Sequence, residues 1–261
     1  MRNWMRLSAI IVGVLLCTLV LHAQQPITVY IAGDSTAAVK LPEKRPETGW
    51  GELLQSHFDE SRVRIEDDAK NGRSTKSFIA EGLWQQIIDK LKPGDYVFVQ
   101  FGHNDESKTK AERYAPPEMY RANLLRMVND VRAKQANPVL LTPVARRKFD
   151  ASGNFVDSHP PEYPTAVRSV ADELHVPLID MLGASKNVLE QYGDERSRTL
   201  FLQLKPGENP NYPNGVEDNT HFNPVGAKIM CDLAVRGIRQ QKLELAKYLK
   251  TDEAASVEPT H

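Results

Sequence analysis

The chain has 261 residues, 41% hydrophobic and 26% charged, which suits one globular domain with a sizeable core. Its formal net charge is −1 and no basic stripe with interleaved aromatics occurs, which argues against a nucleic-acid partner. The balance is also not acidic enough for a disordered chain.

Residues 1–23 read as a signal peptide. Arg2 and Arg6 supply a positive start, Leu7 to Leu21 is a mostly apolar run too short for a membrane span, and Ala23 offers a cleavage position. The alternative is a retained N-terminal anchor. Cleavage implies export to the periplasm or the exterior without stable membrane insertion. It leaves one cysteine, Cys231, which has no partner for an internal disulfide and sits in an apolar helical stretch that predicts buried packing.

Five short apolar runs predict strands at Ile27–Ala32, Arg62–Glu66, Asp95–Phe101, Pro138–Thr142 and Val176–Asp180. Helical periodicity covers Trp50–Phe58, Thr75–Leu91, Pro117–Ala136 and Tyr163–Leu174. Two further helices are predicted at Ala184–Gln191 and from Pro224 to about Leu249. Trp50 and Trp84 fall in these helical patterns as packing residues, and His57 as a surface or capping residue. Strands alternating with helices imply a parallel sheet covered on both faces. The expected fold is α/β: a flavodoxin-like, three-layer α/β/α domain over residues 24–250 with a five-stranded parallel sheet. A flexible tail follows at 251–261. No heptad seam is evident, and the expectation is a monomer.

In that topology strand 1 lies between strands 2 and 3, and ligands bind beyond the C-terminal ends of the strands. Strand 1 is followed by Gly33-Asp34-Ser35, strand 2 by "AKNGRSTKSF" and strand 3 by "GHND". Taken singly, each has an ordinary structural role: Ser35 as a helix cap, Gly72 as a turn glycine, Asn104 and Asp105 as capping or turn residues. Taken together, they converge on one crevice.

A serine nucleophile needs a base and a group that orients the base. "EDNTHFNPVGA" supplies Asp218 and His221, which share a face if that turn is helical; otherwise Asp218 is an Asx-turn residue. Acyl transfer also needs donors for an oxyanion, and the Ser35 and Gly72 N–H groups and the Asn104 amide are candidates. The chemistry requires no metal or cofactor. Loops 146–161 and 205–218 are long and polar. Within the first, Arg146 or Arg147 either pairs with an anionic sugar carboxylate or forms a solvated basic turn, and His159 is a candidate substrate contact, as is Asp34 beside the serine.

Gly33-Asp34-Ser35, Gly72, Gly102-x-Asn104-Asp105 and Asp218-x-x-His221 resemble the SGNH/GDSL hydrolases, in order and over nearly the whole mature chain. "AGDSTAA", "GWGELL", "NGRSTKSF", "FGHND", "TPVARR" and "DNTHFNPVGA" look like the rhamnogalacturonan acetylesterase family, carbohydrate esterase family 12. The resemblance implies an exported serine esterase that removes acetyl groups from plant polysaccharide, with Ser35 as nucleophile, His221 as base, Asp218 orienting it, and Ser35, Gly72 and Asn104 forming the oxyanion hole. Acetylated xylan or another acetylated sugar is an alternative substrate.

Two other classes compete. Asp157-Ser158-His159 offers the D-x-H of a metallophosphatase, but the motif order is wrong. A non-catalytic carbohydrate-binding protein on the same scaffold is the other. No G-x-S-x-G elbow occurs, which disfavours an α/β-hydrolase.

Overall fold

The computed structural model describes residues 25–251. The leader expected over 1–23, and all but the first residue of the tail expected over 251–261, lie outside them. Five parallel strands form the main sheet: β1 (Ile27–Gly33), β2 (Val63–Asp67), β3 (Tyr96–Gln100), β4 (Asn137–Leu141) and β5 (Leu178–Ile179). Their order is β2-β1-β3-β4-β5, so β1 lies between β2 and β3 as expected. β5 is shorter than predicted. The Val176 N–H turns back to the Ala171 carbonyl, and the Asp180 side chain accepts the Gly183 N–H to start the next helix.

Strands β1, β3 and β4 are apolar on both faces, and their period of two divides the core. Val29, Ile31, Phe98, Val139 and Leu141 pack on one side. Tyr30, Ala32, Val97, Val99 and Leu140 pack on the other. The second side is covered by α1 (Thr75–Ala80), α2 (Leu83–Lys90), α3 (Pro117–Ala133) and α4 (Glu162–Glu173). The first side receives a 3-10 segment at Gly51–His57, α5 (Met181–Ser197) and α6 (Pro224–Gln240). This is a three-layer α/β/α fold. Trp50, Trp84 and Cys231 are all buried in it, and burial pushes the Cys231 thiol up to about 12.

Three helical expectations change. The single helix expected over Thr75–Leu91 is two, because Gly82 adopts a left-handed φ of 74° between α1 and α2. Trp50–Phe58 folds as a 3-10 helix rather than an α-helix. α6 stops at Gln240, and a separate 3-10 segment covers Glu244–Tyr248. A two-stranded antiparallel hairpin also appears, β6 (Phe201–Leu204) with β7 (Val216–Phe222), where no strands were predicted.

Candidate active site

The hairpin shapes the site. Phe201 pairs with Phe222 and Gln203 with Glu217, so two steps along β6 match five along β7. The surplus residues bulge outward, and they include Asp218 and His221. No helical turn brings the pair together. Instead, Asp218 Oδ1 accepts the N–H groups of Thr220 at 2.7 Å and His221 at 2.9 Å. This Asx-type turn leaves Asp218 Oδ2 facing His221 Nδ1 at 2.7 Å. Burial disfavours the ionised form of Asp218, but the His221 bonds and the Thr220 N–H outweigh it and hold its pKa below the usual value.

His221 Nε2 lies 2.8 Å from Ser35 Oγ, closing a Ser–His–Asp chain across 186 residues of sequence separation. With Nδ1–H donated to Asp218, Nε2 is the acceptor for the serine hydroxyl. Ser35 does not cap a helix. Residues 35–37 form a turn, and its cap is Asp34: Oδ1 accepts the N–H of Thr36 at 2.9 Å and its hydroxyl at 2.8 Å. The Asp34 carbonyl receives the Ala37 and Ala38 N–H groups. Ser35 is thereby presented to the imidazole, while the side chains of His221 and Asp218 keep 28% and 26% of their exposure.

Two cations tie the remaining pieces to Ser35. The fully buried Lys40 ammonium donates to the Ser35 carbonyl, and to Asn71 Oδ1 at 2.8 Å. Glu47 Oε1 balances its charge at 2.8 Å and stands 4.0 Å from His221 Nε2. Asn71 precedes Gly72, whose φ of 76° is left-handed and favours glycine. Arg113 Nη1 then donates to the Gly72 carbonyl at 3.3 Å and to Asn104 Oδ1 at 2.9 Å. Asn104 Nδ2 donates one hydrogen to the Arg73 carbonyl at 2.9 Å. Among the described residues, the Ser35 and Gly72 N–H groups have no protein acceptor. Lys40, Glu47 and Arg113 carry no motif; only a lysine between apolar Val39 and Leu41 hinted at an inward turn.

The four residues expected to touch sugar are turned to other work. Asp34 is wholly buried and faces His103 Nδ1 at 3.2 Å. Burial opposes its ionisation, but His103 and the Thr36 bonds prevail and hold it at about 2. Burial drives His103 itself down to about 4, so it is neutral at pH 7. His159 is buried too, with Nδ1 at 2.8 Å from Glu106 and Nε2 at 2.9 Å from the Val144 carbonyl. Arg146 binds Glu106 and the carbonyls of Ser158 and His103. Arg147 is buried against Asp194, Ser197 and Asn219. In all four, polar atoms are engaged by the protein's own loops behind the serine. The D-x-H also fails to cluster, since exposed Asp157 faces Lys186 while His159 faces Glu106.

A serine, imidazole and carboxylate in line at the C-terminal edge of a parallel sheet, with unpaired N–H groups beside them, is an arrangement suited to acyl transfer. Residues 31–229 match the model of the GDSL-like Lipase/Acylhydrolase family, and the chain belongs to that family. It is therefore a carboxylic ester hydrolase. It is 40% identical over 230 residues to the rhamnogalacturonan acetylesterase RhgT of Bacillus subtilis, covering 88% of this chain and 97% of that one. It is 37% identical to the probable rhamnogalacturonan acetylesterase YesY of the same organism, covering 84% and 95%. The crystal structure of B. subtilis YxiM superposes with a TM-score of 0.71 at 26% identity, covering 84% of this chain and 58% of that one. An acetylxylan esterase of Geobacillus stearothermophilus gives 0.57 at 19%, covering 82% and 94%, a likeness of fold.

Proposed function

We propose that this protein is an exported serine esterase that removes O-acetyl groups from pectic rhamnogalacturonan. The observation that carries the chemistry is the hydrogen-bonded Ser35–His221–Asp218 chain. The substrate follows from relatives named as rhamnogalacturonan acetylesterases at 40% and 37% identity over most of the chain.

The reaction runs in two halves. Ser35 Oγ attacks the acetyl carbonyl carbon as its proton passes to His221 Nε2, and the carbonyl π electrons move onto oxygen. The Ser35 and Gly72 N–H groups and the free Asn104 Nδ2 hydrogen stabilise that oxyanion. Collapse breaks the bond to the sugar oxygen, which takes the proton from His221 and departs as a hydroxyl. Water, deprotonated by His221, then attacks the acetyl-Ser35 carbonyl. Acetate leaves and the serine recovers its proton. Asp218 keeps the imidazole in the tautomer that accepts at Nε2 and steadies it when protonated.

The test is acetate release from a panel of acetylated rhamnogalacturonan, xylan and homogalacturonan, with p-nitrophenyl acetate as a simple ester. Rhamnogalacturonan is expected to lead, and Ser35→Ala to be inactive on all. Undiminished release by Ser35→Ala would remove the nucleophile assignment; preference for xylan would remove the substrate. Tight binding with no hydrolysis of any ester would favour a carbohydrate-binding protein. Export is tested by sequencing the N-terminus of protein recovered from the periplasm or medium, with Gln24 expected first.

A further inference from the structure

An asparagine amide has two nearly isosteric ends, and only one can serve an oxyanion. What decides the orientation of Asn104 is its partner. A guanidinium has donors and no acceptor, so Arg113 Nη1 can face only Oδ1. Nδ2 is then forced to the other side, where one hydrogen goes to the Arg73 carbonyl and the second has no acceptor among the described residues. The same Nη1 reaches the Gly72 carbonyl, so one nitrogen joins the loop after β2 to the loop after β3.

Arg113 is itself well held. Its backbone N–H bonds the Lys110 carbonyl, Ala115 closes its loop onto the Asp105 carbonyl, and Lys76 Nζ anchors the Ala111 carbonyl at 2.7 Å. Its side chain is 19% exposed, and its counter-charge Glu112 lies 3.6 Å from Nε on the solvent side. Buried Nε has no hydrogen-bond partner among the described residues. Its position therefore leaves one of its own donors unmet while both bonds from Nη1 go to the loops carrying Gly72 and Asn104.

We propose that Arg113 is a positioning residue for the oxyanion hole. It sets which end of the Asn104 amide faces the acetyl carbonyl, locks the Gly72 peptide beside it, and adds positive charge behind the developing oxyanion. It acts through Asn104 and Gly72 and does not touch the substrate. This rests on the reading of Ser35 as the nucleophile given above.

The experiment is a double-variant cycle on p-nitrophenyl acetate and acetylated rhamnogalacturonan, using Arg113→Ala, Arg113→Lys, Asn104→Ala and Arg113→Ala/Asn104→Ala, with Ser35→Ala as control. Deleting one oxyanion donor typically costs roughly 10²–10³ in turnover, so Arg113→Ala is expected to lower kcat by about tenfold to that limit. KM should stay within about twofold on both substrates, since no ground-state contact is lost. In the Asn104→Ala background the further loss should be under about threefold, because most of what Arg113 orients has gone. Arg113→Lys keeps a donor and should recover part of the rate, and guanidinium added to Arg113→Ala should do the same. Circular dichroism and Tm identify an unfolded variant; if Arg113→Ala is one, Arg113→Lys, read on the same kcat-against-KM split and in the Asn104→Ala background, decides.

Costs that multiply in the cycle would overturn the proposal, as would an Arg113→Ala kcat within about threefold of wild type while Ser35→Ala is dead. A KM rise confined to the polymer, with normal p-nitrophenyl acetate turnover, would make Arg113 a substrate anchor instead. Full activity in Ser35→Ala would overturn the nucleophile and this proposal together.

Discussion

Replacing Lys40 by methionine removes a wholly buried ammonium and strands Glu47, whose side chain is 10% exposed. The Ser35 carbonyl and Asn71 Oδ1 lose their donor at the same stroke. Breaking a buried ion pair from one side typically costs about 3–5 kcal/mol, because the surviving charge keeps little solvent and loses its main partner. That is a large part of the roughly 5–15 kcal/mol that holds an ordinary domain folded. Urea unfolding at pH 7 should show a deficit in that range for Lys40→Met. Lys40→Met/Glu47→Leu should regain most of the stability, since an apolar pair of similar volume needs no counter-charge. It should not regain turnover, because the Ser35 carbonyl stays unpinned; small misplacements of reacting groups cost up to about 10²-fold. A Lys40→Met midpoint within about 1 kcal/mol of wild type, or a double variant no more stable than the single, would refute the assignment of an essential buried pair.

Two further outcomes concern residues beside the site. Burial pushes the Asp105 carboxyl up to about 7 even though Thr75 donates to it twice. The folded protein therefore holds a proton that the unfolded chain releases near pH 4, so this group erodes stability as pH rises from about 4 through 7. Unfolding free energies of Asp105→Asn should lack that component, and curves parallel to wild type across this range would contradict it. Asn223 caps α6 by accepting the N–H groups of Val225 and Gly226, and its amide donates to the Thr199 and Phe201 carbonyls. Asn223→Ala should cost at least about 1–2 kcal/mol in chemical denaturation; a cost below about 0.5 kcal/mol would show the cap to be idle.

β1, β3 and β4 were legible because parallel strands buried on both faces read as unbroken apolar runs. The serine, glycine, asparagine and histidine were legible as an ordered set of motifs at strand ends. The β6–β7 hairpin was not, because "VEDNTHF" has no alternation of apolar and polar residues; its geometry comes from a bulge and a carboxylate bonding its own backbone. Residues such as Lys40, Glu47 and Arg113 leave little local trace because what they do depends on where the chain folds back. Asp34, Arg147 and His159 show the converse. Polarity in a loop near a site says that a side chain needs partners, and here those partners lie inside the protein.

The bulge on β7 has one more consequence. Acid and base sit on a single turn, and their mutual geometry is set by bonds within residues 218–221. The machinery is thus two prefabricated parts, a relay on the hairpin and a nucleophile with its donors on the sheet, meeting at the Ser35–His221 contact and tied as well where the Thr48 N–H donates to the Phe222 carbonyl and the Arg147 N–H to the Asn219 carbonyl. The loop from Lys205 to Gly215 also reaches across to the sheet part: Asn211 bonds the Pro42 and Arg45 carbonyls, and Tyr212 bonds that of Lys44. That strap works as an alignment pin. Loosening it would leave each part intact in itself and the reaction out of register.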